Sequence, residues 1–397
     1  MADFRLSPVD QQIIDKVIEV GNSTVQHTRY YEDNEHEMPP ARLDGERGFE
    51  EVFSLFGMRK PDDTPMMTFM MAVSIARGST SGVVRGLGLA MPTGRARGLG
   101  NAALQSAGTP EQKAKWGNLF LAMSITEPGA GSDTKAIQTT ARLDGDEWVL
   151  NGDKIFVTDG VRCDGAIVWA TIDKSAGRAG IKSCLVLKDA PGFELVRKEK
   201  KLGIRASDTA AYSFRDCRIP RDSLLGGDET VPREGGSASY RGVMKTFNMT
   251  RPAVASGGVA KAKGALEFAK SELAKEGLTV DWNRSFASRS AAEQKLIEME
   301  ADTEAAALSV LHAAWLSDIK KPNNLESSIC KAKGGEVCRT IPQAAMELLG
   351  GMAVSHDHLV EKYLRDGRIS DIYEGTGQIQ RLIIAREILG YSSEELT

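Results

Sequence analysis

Glu374 stands in "DIYEGTGQIQRLIIAREILG" (residues 371–390), with Gly375 and Gly377 beside it, an apolar run behind it and no metal-ligand set nearby. Ile379, Leu382, Ile383 and Leu389 recur at helical spacing, so a helix is expected to start near Gly377, placing Glu374 just ahead of its N-terminus. There the helix dipole favours the ionised carboxylate while a water-poor pocket opposes it, a balance suited to a general base. Small neighbours would let a bound molecule come close. Taken alone, the residue reads equally well as a solvated acid at a helix start.

Two further stretches carry chemistry. "SITEPGAGSD" (124–133) opens a region of strand character with Pro128, Gly129 and Gly131, which a regular strand does not accept. Glycines there let main-chain N–H groups approach a phosphate or a ring edge, and Thr126 and Ser132 add hydroxyls. It lacks the strand-to-helix setting of a dinucleotide fingerprint, so a nicotinamide site is not supported. In "NGDKIFVTDG" (151–160), alternation is expected to put Phe156 and Thr158 on one face, the ring covering a flat group and the hydroxyl reaching a ring nitrogen. Each alone has a plainer reading, an ordinary glycine turn or a core phenylalanine beside a turn threonine.

Three segments must position these residues. Residues 1–122 read as a helical domain: "SPVDQQIIDKVIEVGNSTV" and "TPEQKAKWGNLF" each open with a capping hydroxyl and a first-turn proline. Between them "SGVVRGLGLAMPTGRARGLG" (81–100) is too glycine-rich for an unbroken helix and is expected to be interrupted or wrapped closely around something. Residues 123–236 alternate apolar and polar residues around Asp-Gly and Asn-Gly turns, the pattern of hairpins in a barrel-like β domain. Residues 237–397 return to long alanine-rich helices, as in a bundle. The fold class expected is α+β.

Bulk properties narrow the function. The chain has 397 residues, 41% hydrophobic and 26% charged, with a net charge of −4, an enzyme-sized profile without the basic tract of a nucleic-acid binder. No apolar run matches a membrane span, and the first residues lack a signal-peptide pattern, so a cytoplasmic, soluble chain is expected. The five scattered cysteines read as free thiols.

Taken in order, "SITEPGAGSD", "DGDEWVLNGDKIFVTDG", "KLGIRASDTAAYSFRDCRIPRDSLLG", "MTRPAVASGGVAKAKGALEFA" and "IYEGTGQIQRLIIAREILG" resemble the motifs of the acyl-CoA dehydrogenases over most of the chain; the N-terminal third matches loosely. The resemblance implies a homotetramer, a dimer of dimers, of subunits built from a helical, a β and a four-helix domain holding FAD, active in fatty-acid metabolism. It implies Glu374 as the base that takes the α-proton of an acyl-CoA, with hydride passing to flavin N5, a trans-2-enoyl-CoA as product and an electron-transferring flavoprotein as acceptor. Thr126, Gly131, Ser132, Phe156, Thr158, Thr376 and Gln378 would contact the cofactor, joined across subunits by Arg284, Phe286, Gln294, Glu347 and Gly351. Phe247, Asn248, Arg251, Tyr373 and Gly375 would contact the substrate, the Glu374 N–H and a flavin hydroxyl holding the thioester carbonyl.

The chain departs from the family pattern at several of these positions. Phe156 and Asn248 replace a usual tryptophan and aspartate. Asn283 aligns with the family arginine that reaches a neighbouring subunit's FAD, with Arg284 one place on and Ala287 where a glycine is usual. Glu347 replaces a glutamine and is expected to turn toward an amide or ribose and away from a pyrophosphate. The glycines of 81–100 suit a branched or cyclic acyl group, and Arg85 a second carboxylate, unless it is simply solvated. Two rival functions share the scaffold: an acyl-CoA oxidase or flavin monooxygenase using O₂ as acceptor, and a non-catalytic paralogue.

Overall fold

The computed structural model describes residues 4–24, 28–34, 48–76, 98–231, 238–391 and 395. Its helices are α1 (Pro8–Thr24), α2 (Thr28–Asp33), α3 (Gly48–Gly57), α4 (Met66–Ala76), α5 (Leu99–Ala107), α6 (Pro110–Trp116), α7 (Ala238–Lys275), α8 (Ala291–Asp318), α9 (Asn324–Leu349), α10 (Val360–Gly367) and α11 (Gly377–Leu389). Its strands are β1 (Leu121–Ser124), β2 (Thr140–Asp144), β3 (Glu147–Thr158), β4 (Gly165–Thr171), β5 (Ile181–Leu187), β6 (Phe193–Lys198) and β7 (Thr209–Pro220). The class is α+β, as expected. The chain divides into two compact units, a β unit of residues 86–201 and 207–247 and a helical unit of residues 1–85, 202–206 and 248–397. None of the described helices is long and apolar enough to cross a membrane.

The β unit is one seven-stranded sheet in the order β1-β4-β2-β3-β7-β6, with β5 added on β4. Every residue of β4 is buried. Ile167 and Trp169 pack with Leu104 of α5 and Trp116 of α6, while Ala166, Val168 and Ala170 pack with Trp148, Leu150, Tyr212 and Phe214 of β3 and β7. A sheet can cover both faces of one strand in this way only by curling back on itself. Most of the glycine-rich stretch 81–100 lies outside the described residues, but a Cβ on Gly98 or Gly100 would lie 2.2 Å from the carbonyl oxygen of Leu121 or Ala122. α5 therefore lies directly on β1, a distance that only glycine permits.

The Asp-Gly signal at 144–145 makes the expected hairpin, with Gly145 at φ 62° between β2 and β3. The Asn-Gly signal at 151–152 does not. Gly152 lies inside β3 at a register shift, where a Cβ would sit 2.4 Å from Thr139 Oγ1, so the glycine serves a bulge and a close approach.

In the helical unit the capping signals hold: Ser7 accepts from Asp10 N–H at the start of α1, and in the β unit Thr109 pairs with Gln112 in a capping box that opens α6. Ala255, Ala262, Ala265 and Ala269 of α7 share one core with Ala306 and Ala313 of α8 and Ala344 and Ala345 of α9. α7 and α9 approach so closely that a Cβ on Gly258 would lie 2.8 Å from the Gly334 carbonyl oxygen. Asp318 at the end of α8 accepts from the N–H groups of Met67 and Thr68, capping α4.

Candidate active site

Glu374 lies between a 3₁₀ turn, Arg368–Asp371, and α11. Thr376 is the N-cap of α11, its hydroxyl accepting from Ile379 N–H at 3.3 Å, so the helix starts at Gly377 as the spacing predicts. Glu374 has φ 57° and Gly375 φ 90°, consecutive left-handed residues. That conformation is strained for a glutamate and is held by its surroundings. A Cβ on Gly375 would lie 2.4 Å from Gln380 Nε2, and one on Gly377 2.4 Å from Asp371 Oδ1. The small residues beside the acid are thus required by the tightness of the loop itself, before any ligand is considered.

The carboxylate is partly exposed yet closely surrounded. Burial pushes it above the ordinary glutamate range, while the Thr250 hydroxyl, the Lys331 ammonium and the Arg251 guanidinium pull it back. Thr250 donates to Glu374 Oε2 at 2.9 Å from α7. Arg251, 8% exposed, is itself pushed down by burial and restored in part by Glu374. Tyr373 N–H bonds to the Ile369 carbonyl, whereas among the described residues no acceptor takes the Glu374 N–H. The arrangement offers a carboxylate of raised basicity next to an available main-chain donor. Those are the two groups needed to remove a proton α to a carbonyl and to hold the oxygen on which charge develops.

In the β unit, Thr126 is pinned from both sides. Glu127 and Ala130 exchange main-chain hydrogen bonds of 3.0 and 3.1 Å around Pro128-Gly129. Fully buried Lys154 donates to the Ile125 carbonyl and to the Glu127 carboxylate, each at 2.8 Å. Glu127 also accepts from the N–H groups of Gln138 at 2.6 Å and Thr139 at 3.0 Å. Burial pulls Lys154 down to about 8 against the attraction of Glu127. Burial raises Glu127, but the lysine charge and its donors outweigh that and hold it below its ordinary value. At neutral pH the pair is ionised.

Gly131 and Ser132 are exposed, and a Cβ on Gly131 would meet nothing within 4 Å. Phe156 is 59% exposed at φ 56°, at a bulge between Lys154 and Val157. Along the end of β3 Phe156 is exposed, Val157 buried and Thr158 partly exposed. A large aromatic left uncovered, open space at Gly131 and hydroxyls at Thr126, Ser132 and Thr158 fit a flat, phosphate-bearing ligand such as FAD.

Other expected site residues stand apart. The Arg284 guanidinium donates to the Ser288 carbonyl, and Gln294 Nε2 to those of Phe286 and Arg289 at 3.1 Å, so these side-chain bonds stay within residues 281–294. Phe286 is 45% exposed. Glu347 is exposed and accepts from the Gln343 amide at 3.1 Å. Gly351 and Gln378 are exposed and Tyr373 is partly buried. Arg85 and the side chains of Phe247 and Asn248 lie outside the described residues. Three residues around Glu374 escaped sequence reasoning: Thr250, Lys331 and Gln380.

Comparison with known proteins bears on this geometry. Family models match residues 122–217, as "Acyl-CoA dehydrogenase, middle domain", and residues 240–389, as "Acyl-CoA dehydrogenase, C-terminal domain". The short-chain specific acyl-CoA dehydrogenase, mitochondrial, of Bos taurus is 36% identical over 371 residues, 90% of this chain and 84% of that protein. Butyryl-CoA dehydrogenase from Megasphaera elsdenii superposes with a TM-score of 0.75 at 25% identity, covering 98% of this chain and 100% of that one. A chain from work on the electron transferring flavoprotein of Acidaminococcus fermentans gives a TM-score of 0.77 at 28% identity, covering 98% and 100%.

Proposed function

The chain belongs to the acyl-CoA dehydrogenase family, and we propose that it dehydrogenates a short-chain acyl-CoA between the α and β carbons, giving the trans-2-enoyl-CoA. The observation that carries this reading is the Glu374 carboxylate: raised by burial, held by Thr250 and adjacent to its own N–H, which no described residue accepts. The N–H receives the thioester carbonyl, and as negative charge gathers on that oxygen the hydrogen bond strengthens and makes the α-proton acidic enough to leave. Glu374 takes that proton. When bound, FAD would supply the acceptor for the hydride leaving the β carbon, with an electron-transferring flavoprotein as the proposed destination of the electron pair.

Thr126, Ser132 and Thr158 hold the flavin and its pyrophosphate in this reading, and Phe156 covers the ring. Arg251 and Tyr373 line the way of the pantetheine arm. Arg284 takes over the phosphate contact that Asn283 cannot make, in a homotetramer. A short-chain substrate is favoured by the 36% identity to a short-chain enzyme. The limits 1–122, 123–236 and 237–397 remain the proposed domain division, and the cytoplasm the proposed compartment.

The test pairs one variant with one substrate panel. Glu374→Gln is expected to bind FAD like the wild type and to lose turnover of butyryl-CoA by roughly 10²- to 10⁴-fold. Near-normal turnover in that variant would remove Glu374 as the base. Within the panel, butyryl-type thioesters are expected to be consumed fastest; a preference for glutaryl-type thioesters would overturn the substrate class and move attention to Arg85.

A further inference from the structure

Lys331 has no role in the reaction described above, yet it is fully buried, where an ammonium is costly to place. Its Nζ donates to the Ser370 carbonyl at 2.9 Å and to the Gly375 carbonyl at 3.0 Å. These two carbonyls bracket the segment that carries Glu374. Gln380, also fully buried, adds donors at 3.2 Å to the carbonyls of Glu374 and Gly375. With those carbonyls drawn inward, the chain passes through two consecutive left-handed residues at 374 and 375.

We propose that Lys331 is the positioning residue of the base-bearing loop: its buried ammonium clips the loop at both ends and sets a fixed positive charge beside the Glu374 carboxylate. The inference deepens the reading of Glu374 as base and rests on it. A neutral residue could satisfy packing and, as Gln380 does, donate to two carbonyls, but it could not offset the burial of an anion.

The charges around the pair are few. Glu374 is faced by Arg251 from α7 and by Lys331 from α9. Lys331 is faced by Asp371 and Glu374, by Arg251, and by the Cys338 thiol. Burial raises Cys338 and pushes Cys330 up to about 12, so both thiols are neutral in the working range. Burial also pulls Lys331 itself down, opposed by Asp371 and Glu374. Among the described residues Arg251 and Lys331 are the cations that favour the ionised Glu374, and Lys331 also holds the backbone of its loop.

Lys331→Met removes the charge and the donors while keeping the length. The carboxyl band of Glu374, assigned in infrared difference spectra by subtracting Glu374→Gln, is titrated without substrate in wild type and variant. The midpoint is expected to rise by roughly one pH unit in Lys331→Met, with kcat down about a hundredfold and KM little changed. FAD content should match the wild type. An unmoved midpoint in a folded variant overturns the proposal, because a merely structural lysine would leave it in place. Where Lys331→Met does not fold, Lys331→Gln, uncharged but still a donor, is read by the same criterion. Should neither fold, the proposal also fails, since the lysine then serves the whole fold. Full turnover in Glu374→Gln would instead sink the assigned reaction while leaving the infrared titration interpretable.

Discussion

Glu374 shows the tension that a buried base must carry. Burial raises its carboxyl above the range of a free glutamate, so this group stabilises the fold most below the ordinary glutamate range, and that contribution is lost as pH rises through the raised value. Above that raised value the ionised carboxylate is a net cost to the fold. Glu374→Gln is therefore expected to melt at a higher temperature than the wild type at pH 7 to 8, the gain shrinking as the pH is lowered; a variant less stable at neutral pH would contradict this. Activity has the opposite sense: kcat/KM is expected to fall on the acid side at a pH above that of a free glutamate, in a pH–rate profile. Glu374 was legible through the family resemblance, which matched it to the base; from its neighbours alone a solvated acid at a helix start was the safer reading. Thr250 and Lys331 were not, since a threonine and a lysine inside helical runs read as solvent-facing until the partners across the fold are known.

At the scale of elements, local chemistry decided what could be read from the chain and what could not. Caps at Ser7-Pro8 and Thr109-Pro110 and the Asp144-Gly145 turn depend on neighbours in sequence, and each appears where expected. The Asn151-Gly152 turn fails because Gly152 lies at a register shift of β3, packed against Thr139, a contact that neighbours in sequence do not reveal. The Gly375 position makes the same point: its φ of 90° and the 2.4 Å approach of Gln380 are invisible in a list of neighbours. Gly375→Ala is expected to cost about 1–3 kcal/mol, read from the urea midpoint, and to lower turnover. A second element-level prediction concerns Glu127 and Lys154. Glu127→Gln leaves a fully buried ammonium without its counter-charge and is expected to destabilise by about 3–5 kcal/mol. Adding Lys154→Met should recover part of that loss, and a double variant weaker than the single one would refute the pairing.

For the whole molecule, the α+β class and the helical C-terminal part follow from periodicity, while the curl of the sheet emerges only from which faces β4 buries. Val354, Ile388, Leu389 and Trp282 are 72%, 65%, 59% and 62% exposed, apolar side chains that the proposed homotetramer would have the chance to cover. Sedimentation velocity is expected to show an assembly of four 42.9 kDa chains; a monomer would remove the tetramer from the account. The central claim is that the carboxylate at position 374 starts the chemistry in a family member that carries flavin. Its most direct test is the anaerobic mixing of FAD-loaded protein with butyryl-CoA while the flavin absorbance is followed. The wild type should bleach rapidly as enoyl-CoA forms, and Glu374→Gln should stay yellow with the thioester unchanged. Bleaching of both proteins at the same rate would contradict it.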